Sequence, residues 1–197
     1  MTLVLASGSS TRKELLEKAG VEIEVVPARV DEDLIKASMI QAGATPRDIA
    51  DRLADAKAAK VSNKVGDEPV LGCDQILAID QSVISKCDTV AQAIELLKSL
   101  RGKTHHLYSA AVIYQSQKPI WRHVGHVRMT MRDFSDKFLD EYLDRCWPAV
   151  ASSVGCYHIE DEGVRLFSKI EGDYFSVLGL PLIELLSYLT LIGELDG

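Results

Sequence analysis

The chain has 197 residues, of which 47% are hydrophobic and 26% charged, enough apolar material to bury a sizeable core and too much for a disordered chain. A formal net charge of −7 excludes a general binder of nucleic-acid polymers or acidic membranes, which needs a positive field, so any phosphate contact must be local. The N-terminus lacks the pattern of a signal peptide, Gly179, Pro181 and Glu184 break the most apolar stretch, Tyr174 to Ile192, and Cys73, Cys87, Cys146 and Cys156 lack CxxC spacing; the expectation is a cytoplasmic protein with free thiols.

Thr2 to Ala6 reads as a short apolar strand. The small polar stretch Ser7-Gly8-Ser9-Ser10 leads into a helix ending at Gly20, with Thr11 and Glu14 at capping-box spacing. Ile23 to Val26 reads as a second strand and Asp33 to Gln41 as a helix. Thr45-Pro46, a cap followed by proline at the first helical position, opens a longer helix to about Asn63. Val70 to Ile79 is a strongly apolar strand with Asp74 and Gln75 in its middle, and Asp88 is placed to cap a helix that stops near Gly102. Thr104 to Tyr114 and Ile120 to Met131 resemble a hairpin turning around Gln117-Lys118-Pro119, and Ser135 to Arg145 is helical. Two short strands around Tyr157 and Phe167, a loop from Glu171 to Tyr174 and a helix from about Pro181 to Leu191 complete the chain. Interleaved strands and helices with one hairpin predict an α/β fold: a mixed twisted sheet with flanking helices, cleft into two lobes, as a single domain over 1–197.

Two places invite chemistry. The run from Ser7 to Lys13 brings small residues, hydroxyls and a helix N-terminus together, with Arg12 able to grip phosphate in bidentate fashion, which makes an anion site; an ordinary capped helix explains the same residues. It is not a Walker motif, and GxGxxG, HExxH and GxSxG are all absent. Asp74 is the second: a carboxylate within a buried strand costs several kcal/mol unless paired, hydrogen-bonded or metal-bound, roughly the penalty for an isolated buried charge. A strand end or bulge that turns Asp74 to solvent is the alternative. Lys57, on an Ala-rich helix, and Lys86 are ordinary solvated residues when taken singly, and the acids Asp31, Glu32 and Asp33 suit the start of a helix. Acidic and basic clusters close together would suit a triphosphate and its metal. His123 and His126, three apart on a strand, face opposite sides and make a poor metal pair.

Leu5 to Leu16, Val30-Asp31-Glu32, Lys57-Ala58, Gly72-Cys73-Asp74-Gln75, Lys86, Gly102-Lys103-Thr104-His105 and Gly172 to Pro181 together resemble the Maf family, in the family's order and over nearly the whole chain. That resemblance implies a mixed α/β fold with a central cleft, a homodimer, and hydrolysis of nucleoside triphosphates to monophosphate and pyrophosphate with a divalent metal cation, Mg2+ or Mn2+. It implies that Asp74 is the proton acceptor, that Glu32 and Asp74 hold the metal, that Ser7, Ser9 and Arg12 form the phosphate-side loop, and that Lys57, Lys86 and Asp173 line the cleft. Arg12, Gln75 and Glu160 match the positions that separate the family's branches, and their combination resembles the branch acting on 7-methyl-GTP; a carboxylate at 160 can accept the N1 and N2 hydrogens of guanine. The chain departs from the family's pattern at Ser10-Thr11, where Pro-Arg is frequent, at Ser152-Ser153-Val154, where Asp-Lys-Ala is frequent, and at Cys87, where proline usually follows the lysine. Two other readings stand beside a pyrophosphatase: a nucleotide-binding regulator of cell division with little turnover, and a sugar-phosphate enzyme on a similar α/β plan.

Overall fold

The computed structural model describes residues 2–196. Seven strands, β1 (Leu3–Leu5), β2 (Ile23–Val25), β3 (Val70–Ile79), β4 (Ser82–Ile84), β5 (Thr104–Gln115), β6 (Lys118–Met131) and β7 (Phe167–Glu171), form one sheet in the order β2-β1-β3-β5-β6-β7, with β4 also paired to β3. The helices are α1 (Ser10–Lys18), α2 (Glu32–Gln41), α3 (Pro46–Val65), α4 (Val90–Leu100), α5 (Asp136–Cys146), α6 (Tyr174–Val177) and α7 (Leu182–Leu191). Two 3-10 turns lie at Ala149–Ser152 and Glu162–Leu166. β1 runs parallel to β2 and β3, and the other pairings are antiparallel, so the sheet is mixed, as the hairpin in the sequence requires.

The pairing of β3 creates the cleft. One edge is covered by β5 from Val70 to Ala78. The other edge is shared: β1 takes Val70 and Leu71, β4 takes Leu77 to Ile79, and residues 72–76 between them have no partner strand. The sheet therefore splits at Asp74 and Gln75. Alternation along β3 sends these two side chains to opposite faces. On one face Ala50, Leu53 and Ala54 of α3 pack on Ile76, Ala110 and Val112. On the other face two separate cores form, one with α1 and α7 over Leu71 and Cys73, the other with α4 and α5 over Leu77, and the cleft lies between these lobes.

α3 lies very close to β3. A Cβ on Gly72 would fall 2.2 Å from the Ala54 carbonyl oxygen and 2.6 Å from the Ala58 nitrogen, so the contact needs glycine in the strand and alanine in the helix. Lys57 lies between those alanines and is buried, contrary to the solvated face expected of it; the helix is held so near the sheet that its side chain runs along the strand toward Asp74.

Several local expectations are corrected. The N-cap of α1 is Ser9, whose hydroxyl accepts from Arg12 N, not Thr11. α4 is capped by Thr89 in a reciprocal box with Gln92, not by Asp88. The hairpin turns at Ser116 and Gln117, with φ of 48° and 63°, while Lys118 and Pro119 belong to β6. This is a two-residue turn with both φ positive, the geometry that matches strand twist, built here without glycine. The segment around Tyr157 is not a strand: Ser153 Oγ bonds both Tyr157 N and Tyr157 O and holds it as a loop.

Candidate active site

A cleft of about 1070 Å³ opens where β3 loses its partner on one edge. This is just above the roughly 300–1,000 Å³ usual for small-molecule sites. Ser7, Ser9, Arg12, Glu32, Lys57 and Asp74 line it, as do Gln75, Lys86 and Glu160, so the residues singled out from six separate stretches of sequence converge. Asp173 does not line it: its carboxylate caps α6, accepting from Ser176 N at 2.7 Å.

Asp74 sits in the middle of β3, in unbroken register with β5 opposite Ala110 and without a partner on the other edge, and is 6% exposed; the strand-end and bulge alternatives do not hold. Lys57 compensates it, with Nζ 2.5 Å from Asp74 Oδ1 and 2.8 Å from Glu32 Oε1. One ammonium therefore gathers a carboxylate from the strand and one from the start of α2. Burial works to raise the pKa of Glu32, but the Lys57 hydrogen bond and charge, with Lys36 and Lys86 behind them, hold it below the ordinary carboxylate value. Lys36 lies one helical turn from Glu32, at 3.8 Å, and also lines the cleft. It was not singled out from the sequence; its i,i+4 spacing from Glu32 is the signal that could have marked it.

The donor set suits a hard divalent cation. Magnesium characteristically takes one or two carboxylates and completes its shell with waters and substrate phosphates. Asp74 and Glu32 offer such a pair, and among the described residues no group of three or more His, Cys, Asp or Glu is arranged to hold a metal by protein ligands alone.

The loop from Ser7 to Lys13 is more constrained than its composition indicates. Arg12 Nε donates to Gly179 O at 2.8 Å, and Nη1 donates to Ser7 Oγ at 3.2 Å and Cys73 O at 3.3 Å. Those bonds tie α1 to β3 and to the turn before α7, and they take one donor from each of the two guanidinium edges, Nε/Nη2 and Nη1/Nη2, that could hold an anion in bidentate fashion. Nη2 takes part in none of these bonds. Ser7 and Ser9 shape the same loop, Ser9 N donating to Ser7 Oγ at 3.3 Å and Ser9 Oγ capping α1, so that Gly8, Ser10 and Thr11 at the helix N-terminus face the cleft.

Gln75 has a fixed polarity. Its Nε2 is 2.9 Å from Val177 O, 3.1 Å from Ser176 O and 2.9 Å from Ser109 Oγ, while Ser109 gives its own hydrogen to Ser176 O at 2.6 Å. Carbonyl oxygens only accept, so the amide nitrogen must face them, and Oε1 remains as the unbonded atom. Gln75 thus presents an acceptor. Glu160 and Lys86 are exposed, line the cleft and have no hydrogen-bond or ion-pair partner among the described residues.

The wall formed by residues 152–160 carries two polar groups the sequence did not single out. Ser152 Oγ and His158 Nε2 are 3.2 Å apart, and both line the cleft. In the sequence this wall was marked by Glu160 and by its departure from the family's Asp-Lys-Ala pattern, and neither pointed to His158. His123 and His126 do point to opposite sides, His123 toward Glu184 at 3.9 Å and His126 to His106 at 2.8 Å.

Residues 2–192 match a family model described as Maf-like protein. A protein of Ruegeria sp. named nucleoside triphosphate pyrophosphatase is 54% identical over 194 residues, covering 98% of this chain and 98% of that one. In Jannaschia sp., nucleoside triphosphate pyrophosphatase 1 is 51% identical, covering 97% of this chain and 96% of its own. A 7-methyl-GTP pyrophosphatase of Mesorhizobium japonicum is 45% identical, covering 99% and 98%. With a family match spanning nearly its whole length, and relatives half identical to it from end to end, the chain belongs to the Maf family.

Proposed function

We propose that the protein hydrolyses nucleoside triphosphates between the α and β phosphates, releasing a nucleoside monophosphate and pyrophosphate, and that 7-methyl-GTP is among its substrates. The observation that carries this reading is the pair of carboxylates, Asp74 and Glu32, held on Lys57 inside a cleft rimmed by Lys36, Lys86 and the N-terminus of α1. Relatives sharing about half the sequence are named for this reaction.

In the reaction, Asp74 accepts a proton from a water that attacks the α phosphorus. Oδ1 is engaged by Lys57, which leaves Oδ2 for the water. The new bond joins the water oxygen to phosphorus as the bond to the bridging oxygen breaks, and pyrophosphate leaves with the electron pair. Lys36, Lys86 and Arg12 Nη2 offset the charge on the phosphate oxygens. A magnesium or manganese ion bound by Glu32 and Asp74 would polarise the phosphoryl oxygens. At the nucleoside end, Gln75 Oε1 and the Glu160 carboxylate are acceptors, suited to the N1 and N2 hydrogens of guanine, and the charge of Glu160 favours a base made cationic by methylation.

The family's homodimer and a cytoplasmic location complete the proposal; no helix among the described residues is long and apolar enough to cross a membrane. The test is a panel of dTTP, UTP, GTP and 7-methyl-GTP with magnesium or manganese, read by pyrophosphate release. Asp74→Asn should abolish turnover. Continued release by that variant, or cleavage giving inorganic phosphate instead, would falsify the reaction; a poor rate on 7-methyl-GTP would remove only the base assignment.

A further inference from the structure

The stretch Gly102 to His105 carries part of the family resemblance yet lies outside the cleft. His105, on β5, is fully buried in the lobe formed by α4, α5 and residues 150–167. Its ring leans on Tyr157 and Phe167 at centroid separations of 5.7 and 5.9 Å, and its Nε2 lies 2.7 Å from the Tyr157 hydroxyl. Nδ1 is buried with no partner. An apolar ring would fill this space without stranding a nitrogen, so packing alone does not explain an imidazole here. Burial, assisted by neighbouring His106, depresses its pKa to about 4, and the ring is neutral near pH 7. What it offers that phenylalanine would not is the bond to Tyr157.

Tyr157 is the anchor of the wall 152–160. Its backbone is held on both sides by Ser153 Oγ, and Gly155 folds so closely over its ring that a Cβ there would lie 2.2 Å from Cε1. Val154, His158, Ile159 and Glu160, flanking this anchor, face the cleft. The wall contains no lysine or arginine, whereas Arg12, Lys36, Lys57 and Lys86 line the cleft from other elements. Phosphates belong with the cations, and the apolar and acidic wall suits a nucleoside. We infer that His105 is a positioning residue for nucleoside binding: through the Tyr157 hydroxyl it fixes the wall against which base and sugar pack. This rests on the cleft being a nucleoside triphosphate site.

His105→Phe preserves the ring volume and removes the bond, His105→Gln restores an amide near the Nε2 position, and Tyr157→Phe removes the other partner. KM and kcat for pyrophosphate release are measured for each, with nucleotide Kd by calorimetry in an Asp74→Asn background. Both phenylalanine variants should raise KM and Kd about five- to tenfold, the loss of one well-placed hydrogen bond. Their kcat should stay within about twofold of the parent, because Asp74 and Lys57 act from the opposite face of the sheet. His105→Gln should recover most of the loss, and the double phenylalanine variant should be no worse than either single one. Should melting temperature fall while KM and Kd stay at parental values, or should kcat fall with KM unchanged, the inference is overturned. Tyr157→Phe, the milder change, decides the matter if His105→Phe fails to fold. A parent that binds nucleotide without releasing pyrophosphate sinks the proposed reaction and leaves Kd to judge His105; a parent that binds none sinks both.

Discussion

Replacing Lys57 with methionine removes the one charge that compensates Asp74 while keeping an unbranched side chain along the α3–β3 contact. Asp74 and Lys57 are 6% and 8% exposed, so the variant strands a buried carboxylate. Breaking a buried pair from one side costs about 3–5 kcal/mol. The Glu32 side chain is 40% exposed and can turn to water, so only one carboxylate is stranded and the lower end, about 3 kcal/mol, applies. For a chain of this length each kcal/mol corresponds to about 2–4 °C, which gives a fall in Tm of about 6–12 °C. Thermal and urea unfolding would measure it, with and without millimolar magnesium. The cation should raise the Tm of Lys57→Met more than that of the parent, since it supplies the missing positive charge between the same carboxylates. Adding Asp74→Asn to Lys57→Met should recover much of the loss, because a neutral amide no longer needs a counter-ion. If Lys57→Met lies within about 0.5 kcal/mol of the parent, as exposed ion pairs do, and magnesium affects both alike, the electrostatic account of this site is wrong.

Gly72→Ala must push α3 from β3, because the new methyl meets backbone atoms of Ala54 and Ala58. A loss of about 1–3 kcal/mol is expected in urea unfolding, together with reduced turnover as Lys57 is carried away from Asp74; parental stability would contradict the close-packing argument. Gln117→Gly relieves a positive φ of 63° in the β5–β6 turn and should stabilise by about 0.5–1 kcal/mol, the strain relief less the entropy of glycine, with activity unchanged. His105 makes stability fall on acidification. Its folded pKa of about 4 is below the unfolded 6.5, so between these values only the unfolded chain holds the proton. The contribution is present above pH 6.5, is lost as pH drops toward 4, and amounts to about 3 kcal/mol at 1.36 kcal/mol per unit. Denaturation as a function of pH should show a flatter profile for His105→Phe, and coincident profiles would count against a neutral buried imidazole.

Much of the fold and the membership of the site was legible in the residues. The apolar run of β3 has the right length for a central strand, and Thr45-Pro46 marks the start of α3 by chemistry that acts within one turn. Such signals are local, and local energetics enforce them. Less was legible where tertiary bonds override propensity: residues near Tyr157 look like strand but are tied by Ser153, and Ser116-Gln117 turn without glycine because the long β5–β6 ladder outweighs the strain. The candidate residues could be named from sequence, yet their roles could not be apportioned. That Lys57 pairs with Asp74 and Glu32, that Arg12 uses most of its donors on Gly179, Ser7 and Cys73, and that Gln75 presents an acceptor all follow from contacts between distant segments. Those contacts exist because β1 and β4 share one edge of β3 and leave a gap between them. An alternating pattern says which face a side chain takes, but only the assembled sheet determines where two neighbouring strands part and let a ligand in.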